Sequence, residues 1–349
     1  MSLQLDDYRL LGRSGLRVSP LSLGTMTFGM AGWGTDIEEA GRMLNHYREL
    51  GGNFLDTANF YAAGESERML GKLTAEHRLR WVIATKYSLT MGPGDPNASG
   101  NQRKNMVQAV EASLRRLNTD YIDLLYLHLW DDRTPAEEVL RAFDDLVRAG
   151  KILYAGISDT PVWEISRMQA IADLRGWSPF VALQVPYNLT ERIVEADFLP
   201  MAHKLGLGVL PWSPLAGGVL TGKYSRADLA SEPADMSSRK NINLATGRLT
   251  EKALDIAEVL AEVAGEQGRS AAEVALAWTL QHAAVTSPII GARTFSQLES
   301  NLGALDVEFS AEQLQRLDTV SALPETFPHT MMHTPTGEMM LGNVRVERR

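Results

Sequence analysis

The stretch "YIDLLYLHLWDDRTPAEEVLRAFDDLVRAGKILYAGIS", Tyr121 to Ser158, holds two short apolar runs with an amphipathic run between them. Tyr121 to His128 and Ile152 to Ser158 are too short for helices and apolar on both faces, so they read as buried strands. Between them Val139, Phe143, Leu146 and Val147 recur at helical spacing and give the segment one apolar face. Thr134-Pro135-Ala136-Glu137 has the form of a capping box at the start of that helix, and Gly150 stands where it should stop. Two strands buried on both faces and joined by a helix-length crossover are expected to be parallel neighbours.

The unit repeats in both directions. "LSLG" from Leu21, "NFLD" from Asn53, "WVIATK" from Trp81, "VALQ" from Val181, "GVLPW" from Gly208 and "SPIIG" from Ser287 bring the strands to eight. Helical patterns lie between them, for example Val107, Val110, Leu114 and Leu117, with a second capping box at Ser270-Ala271-Ala272-Glu273 and a stop at Gly51. Eight such repeats predict an α/β protein with a closed (β/α)8 TIM barrel. A doubly wound sheet binding a dinucleotide would carry G-x-G-x-x-G in its first turn, and "LGTMTFGMAGWG" lacks that spacing. "YRLLGRSGLRVS" reads as a hairpin within residues 1–20, and residues 321–349 read as a C-terminal tail rich in Met, His, Pro and Thr. No linker interrupts the pattern, so residues 1–349 are expected to form a single barrel domain.

Composition narrows the function. Among 349 residues, 34 Lys and Arg against 43 Asp and Glu leave a net charge of −9, which excludes the broad basic field that nucleic acid or an anionic membrane requires. The absence of Cys excludes disulfides and thiolate chemistry and is compatible with a cytoplasmic location. "MSLQLDDYRLL" has no leader pattern, and no run approaches the ~20 apolar residues of a membrane span. Nothing in the sequence fixes an oligomeric state.

In a parallel barrel the C-terminal strand ends open on one face, and that face carries the chemistry. The residues expected there are Asp56 with Tyr61 just beyond, Lys86, His128, Ser158, Gln184, Trp212 and Gly291. A carboxylate, a phenol, an ammonium and an imidazole from three adjacent ends form an acid/base device. Lys86 is expected to lower the Tyr61 pKa, Asp56 to hold Lys86, and His128 to donate to a substrate oxygen. A proton donor with neither a nucleophile nor a metal cluster suits carbonyl reduction, with hydride from a cofactor.

Barrels commonly bind phosphate in the loops after strands seven and eight. Here these are "WSPLAGGVLTGKY", with Lys223, and "GARTFSQLESN", where Arg293 precedes a helix whose N-terminus also favours anions. Gln184 and Ser158 can hydrogen-bond a carboxamide and Trp212 can stack on a ring. "GGVLTGKY", Gly217 to Tyr224, falls short of the Walker pattern because Tyr224 replaces the magnesium-binding hydroxyl. "HTMMH", His329 to His333, has the spacing of two zinc ligands but lacks the intervening Glu, so no metal site is expected. The tail around it reads as a flap over the barrel mouth.

These segments together resemble the aldo-keto reductases, and within them a branch that includes bacterial reductases and potassium-channel β subunits. The resemblance runs from "YRLLGRSGLRVSPLSLGTMTFG" through "NFLDTANFYAAGESE", "IATK", "DLLYLHLWD", "AGIS", "LQVPYN" and "PWSPLAGGVLTGKY" to "PIIGARTFSQLESNL", about Tyr8 to Leu302. It implies a catalytic tetrad of Asp56, Tyr61, Lys86 and His128 and a barrel that binds NADP(H) without a Rossmann motif. It further implies Thr25 and Met26 near the nicotinamide, Ser158 and Gln184 on its carboxamide, and Trp212 against its ring. Ser213, Leu215, Gly217 and Lys223 would surround the pyrophosphate, and Arg239, Arg293, Gln297 and Asn301 the adenosine end. Many members carry Asn after the strand-five Ser, where this chain has Asp159. Channel-associated members lack the tetrad His, which this chain keeps. The expected activity is NADPH-dependent reduction of an aldehyde or ketone, the alternative an NADP(H)-binding sensor or regulatory subunit.

Overall fold

In the computed structural model the described residues are 3–231, 238–332, 339, 340, 342 and 344. A two-stranded antiparallel hairpin, β1 (Arg9–Leu10) and β2 (Arg17–Val18), precedes the barrel. The barrel strands are β3 (Ser22–Gly24), β4 (Phe54–Asp56), β5 (Val82–Tyr87), β6 (Ile122–Leu127), β7 (Ile152–Ser158), β8 (Phe180–Pro186), β9 (Gly208–Trp212) and β10 (Ile289–Gly291). All pair in parallel, in the order β10-β3-β4-β5-β6-β7-β8-β9. A parallel bridge between Val209 and Val285, with Thr286 donating to the Val209 carbonyl at 2.8 Å, brings the two ends of the sheet together. Eight parallel strands ringed by helices make this a (β/α)8 TIM barrel.

The helices are α1 (Ile37–Glu49), α2 (Glu65–Thr74), α3 (Arg103–Leu117), α4 (Ala136–Arg148), α5 (Val162–Arg175), α6 (Phe198–Leu205), α7 (Arg226–Leu229), α8 (Arg239–Ala245), α9 (Glu251–Gln267), α10 (Ala271–Thr279), α11 (Phe295–Leu302), α12 (Ala311–Ser321) and α13 (His329–Met332). The expected box at Ser270 and Glu273 caps α10. The one expected at Thr134 does not form: Pro135 is the N-cap of α4, and the Thr134 hydroxyl instead donates to Asp131 Oδ2 at 2.8 Å. Asp131 already collects the Arg133 and Thr134 backbone N–H groups, so this turn is organised around it and not around the helix start.

Two cores follow from strands buried on both faces. The outer one lies between sheet and helices. The inner one fills the barrel with Phe54, Val82, Ala84, Leu124, Tyr126, Ala182 and Leu210, and is closed from below by Leu11 and Val18 of the hairpin. The hairpin can seat there because Gly12 has φ +54° and a Cβ on it would lie 2.3 Å from the Val181 carbonyl oxygen. The plugged end leaves the C-terminal strand ends as the open face. Beyond α12 the short α13 is described, with His329 Nε2 3.2 Å from Asp197 Oδ1. His333 and twelve further residues of the expected flap lie outside the described residues.

Candidate active site

Each strand acts as a post. β4 ends on Asp56, and a turn continues to Tyr61, which is followed by Ala62 and Ala63, both left-handed at φ 47° and 53°. β5 carries Lys86 as its second-last residue, and His128 follows the last residue of β6. Parallel pairing puts Lys86 level with Tyr126 and two residues above the Asp56–Ala84 pair, so the three side chains converge at the mouth.

Lys86 is the hub. Its fully buried Nζ donates to Asp56 Oδ1 at 2.5 Å, to the Thr57 carbonyl at 2.7 Å and to Tyr61 Oη at 3.2 Å. Asp56 accepts at its other oxygen from Gln184 Nε2 at 2.8 Å. The His128 ring stands edge-on to Tyr61, with centroids 6.0 Å apart and planes at 81°. A hydroxyl web of Thr25, Thr57 and Ser66 fixes the base: Thr25 Oγ1 donates to the Asp56 carbonyl, and both threonines pair with Ser66 Oγ at 2.9 Å.

Electrostatics then set the protonation states. Burial opposes the Lys86 charge, but Asp56 and the Tyr61 oxygen outweigh it and hold the ammonium above its ordinary pKa. Tyr61 moves opposite to expectation. Burial raises its pKa, the Lys86 cation pulls it down, and Asp56 pushes it up again, so the phenol ends above its ordinary value. His128 is pushed down to about 3, by burial and then by the Lys86 cation, so its imidazole is neutral at physiological pH.

The expected cofactor residues fall into two groups. Near the acid/base cluster, Ser158 and Gln184 are register partners on β7 and β8, and Ser158 Oγ is buried without a hydrogen-bond partner. Gln184 is already committed to Asp56 through its Nε2. Thr25 is buried and its hydroxyl serves the web, while Met26 is half-buried beside it. Trp212 ends β9, half-buried.

The second group lies along the loops after β9 and β10. Ser213 is left-handed at φ 50°, and a tight turn from Leu215 carries Gly217 and Gly218 at φ 65° and 90°. At Gly217 a Cβ would meet Asn243 Oδ1 at 2.4 Å, so a side chain there would displace Asn243. Lys223, Arg239 and Arg293 gather about this turn. The Lys223 pKa is lowered by burial, then by Arg293 and Arg239, and that of Arg239 by burial, then by Arg248. α11 begins just after Arg293, whose backbone N–H donates to Gln297 Oε1 at 2.9 Å. Asn301 Nδ2 ties the helix to the Gly291 carbonyl at 3.1 Å.

Several contacts here join residues far apart in sequence. Asp159, left-handed at φ 35°, accepts from Trp212 Nε1 at 3.1 Å, and the Arg248 guanidinium lies 5.6 Å from the Trp212 ring. Burial raises the Asp159 pKa, against the Trp212 N–H and Lys86. The indole N–H of Trp130, next in line after His128 and Leu129, is buried without a partner. Arg239 stacks on Trp33 from the loop after β3, 5.1 Å from the ring centroid. Asp159 alone left a sequence signal, since it stands where Asn is commoner.

The geometry agrees with what the chain resembles among known proteins. The Aldo/keto reductase family model matches residues 20–322. A norsolorinic acid reductase of Aspergillus flavus is 38% identical over 346 residues, covering 95% of this chain and 86% of its own. The oxidoreductase YrpG of Bacillus subtilis is 38% identical over 326 residues, 90% of this chain and 95% of its own. An aryl-alcohol dehydrogenase [NADP(+)] of Phanerodontia chrysosporium is 35% identical over 336 residues, 91% and 86% respectively. The potassium-channel branch is not among these relatives. A family model spanning most of the barrel and relatives aligned almost end to end make this chain an oxidoreductase of the aldo/keto reductase family.

Proposed function

We propose that this protein reduces aldehyde or ketone carbonyls to alcohols with NADPH, reversibly, with Tyr61 as the general acid. The observation that carries the reading is the Lys86 ammonium, fully buried and bonded to both Asp56 and the Tyr61 hydroxyl. A buried cation needs an anion to hold it, and Asp56 supplies one. The same cation lies where negative charge develops on Tyr61 as its proton leaves. The raised phenol pKa keeps that proton in place at neutral pH until a basic oxygen is formed beside it. Neutral His128 orients the substrate oxygen toward Tyr61 through a ring N–H, without competing as an acid.

The residues fit a nicotinamide dinucleotide. Ser158 Oγ is a buried hydroxyl still lacking a partner, Trp212 offers its ring at the same face, and three mutually repelling cations border a left-handed glycine turn. When bound, the cofactor supplies the hydride. Ser158, with Asp159 in the place of the commoner Asn, would meet its carboxamide. Ser213, Leu215, Gly217 and Lys223 would border its pyrophosphate, and Arg239 and Arg293 its adenosine phosphate, with Gln297 and Asn301 behind them. Thr25, Met26, Gln184 and Gly291 complete the wall. A relative named for aryl alcohols, and the indoles of Trp33, Trp130 and Trp212 around the mouth, favour an aromatic carbonyl substrate.

The test follows NADPH absorbance against a panel of aromatic aldehydes, quinones and aliphatic controls. Consumption with aromatic carbonyls, lost in Tyr61→Phe, is expected. Tight NADPH binding with no turnover on any of them would instead favour a sensor.

A further inference from the structure

On the helical ring, away from the barrel mouth, α2 and α3 enclose a groove of about 480 Å3. Its walls carry Arg68 and Lys72 from α2 and Arg115 and Arg116 from α3, and its floor is Gly71, where a Cβ would come within 2.5 Å of the Arg116 carbonyl oxygen, with the small Ala112 beside it. Four cations converge there on a chain whose net charge is −9. Cations at helix C-termini complement the macrodipole, and that accounts for Lys72, Arg115 and Arg116 taken one at a time. It does not account for two helices aiming theirs into one groove, where Glu65 and Glu67 offset Arg68 and Arg116 but Lys72 and Arg115 repel unless an anion sits between them.

The cations differ in how they are held. Arg116 Nε donates at 2.6 Å to Glu67 Oε2, a fully buried carboxylate whose other oxygen accepts from Thr85 Oγ1 at 2.6 Å. Its stem also lies against Gly64, where a Cβ would come within 2.8 Å of the Arg116 Cδ. Arg116 is therefore a fixed wall, tied to the strand that carries Lys86 and to the end of the turn that carries Tyr61. Arg68 is tethered more loosely, to Glu65 at 3.2 Å. Lys72 and Arg115 are exposed and have no carboxylate within ion-pair distance among the described residues. One rigid cation and two free ones around a small-residue floor are the parts of an anion site.

We propose that this groove binds a compact polyanion of the pyrophosphate class, free or as part of a small phosphorylated metabolite. The geometry favours such a ligand over an acidic protein segment because the charges converge on one short groove instead of following an extended track. The cofactor loops after β9 and β10 also present cations, so the experiment separates the two places. Inorganic pyrophosphate is titrated calorimetrically into the full chain carrying Arg239→Ala and Arg293→Ala, with and without Lys72→Ala and Arg115→Ala. Both added positions are exposed, and a thermal melt verifies that folding is intact. The expected result is one site that survives the first pair of changes and weakens tenfold or more on adding the second, with phosphate itself binding more weakly. Binding that disappears with Arg239 and Arg293 alone, or that ignores Lys72 and Arg115, overturns the proposal. So does a chain that takes up a poly-glutamate peptide at this groove but not pyrophosphate.

Discussion

Lys86 and Asp56 provide the most demanding test, because burial makes their pairing visible in stability as well as in turnover. Lys86 has no exposed side-chain surface and Asp56 only 3%, so neither charge can turn to water if the other is removed. Lys86→Met keeps the length and apolar stem but leaves the Asp56 carboxylate with the Gln184 amide as its remaining side-chain donor. Asp56→Asn leaves the ammonium with the Thr57 carbonyl and the Tyr61 hydroxyl. Breaking a buried pair from either side costs roughly 3–5 kcal/mol, a large share of the ~5–15 kcal/mol that holds a typical protein folded. The double variant strands no charge, so its loss should stay below about 3 kcal/mol, less than either single change. The coupling is then at least ~3 kcal/mol, measured by equilibrium urea unfolding of the four proteins at one pH. Turnover should show the same pattern: each single change costs a hundredfold or more, and the second adds little to the first. Stability losses that add within about 0.5 kcal/mol would refute the reasoning and make the two residues independent.

Tyr61→Phe should cut kcat about a hundredfold or more while leaving cofactor affinity, read by fluorescence titration, nearly unchanged. Arg293→Ala should weaken NADPH about ten- to a hundredfold, the loss of one charge-assisted hydrogen bond, and leave NADH nearly as it was; equal weakening of both would move the phosphate contact elsewhere. His128, depressed from 6.5 to about 3, binds fewer protons folded than unfolded in that interval, so stability should fall as pH drops from 6.5 toward 3. His128→Asn should flatten that slope in urea midpoints taken across the range. Asp159 raises the Tyr61 pKa, so Asp159→Asn should move the basic limb of the kcat/KM profile to lower pH, and an unmoved limb would show that its charge does not reach the phenol.

Periodicity made the barrel legible, since every strand run appears as a strand, and Asp56, Lys86, His128, Ser158, Gln184, Trp212 and Gly291 each lie within two positions of a strand's C-terminal end. What stayed hidden depends on neighbours distant in sequence. The Trp212 anchor lies 53 positions from Asp159, and the Arg116 partner 49 positions from it, with no local pattern to connect them. Thr134 carried a capping signature, but the competing acceptor Asp131 in the preceding turn took its hydroxyl. The net direction of the Tyr61 shift is hidden in the sequence for a related reason. Sequence displays the cation that would lower the pKa but not the depth of burial that raises it further.

Backbone conformation shows how the fold can keep such a cluster rigid. Among the described residues eight non-glycines have positive φ, and seven of them, Ala62, Ala63, Ser88, Asp132, Asp159, Ser213 and Ala216, lie in the loops beyond the C-terminal strand ends. The eighth, Asn118, is the left-handed cap of α3 and needs no other account. A left-handed non-glycine costs about 1–2 kcal/mol, so these loops persist only where their surroundings fix them. Ser88 is held by its hydroxyl on the Leu129 carbonyl and by the Gly100 N–H on its own, Ser213 by the Asn188 amide, and Asp159 by the Trp212 indole. The opposite end of the barrel, plugged by the hairpin, holds Asn118 alone among the described residues. Strain and chemistry occupy the same face, where side-chain hydrogen bonds between neighbouring loops hold Ser88, Ser213 and Asp159. Loops so fixed can hold Tyr61, Asp159 and Trp212 in positions that an unconstrained turn would leave.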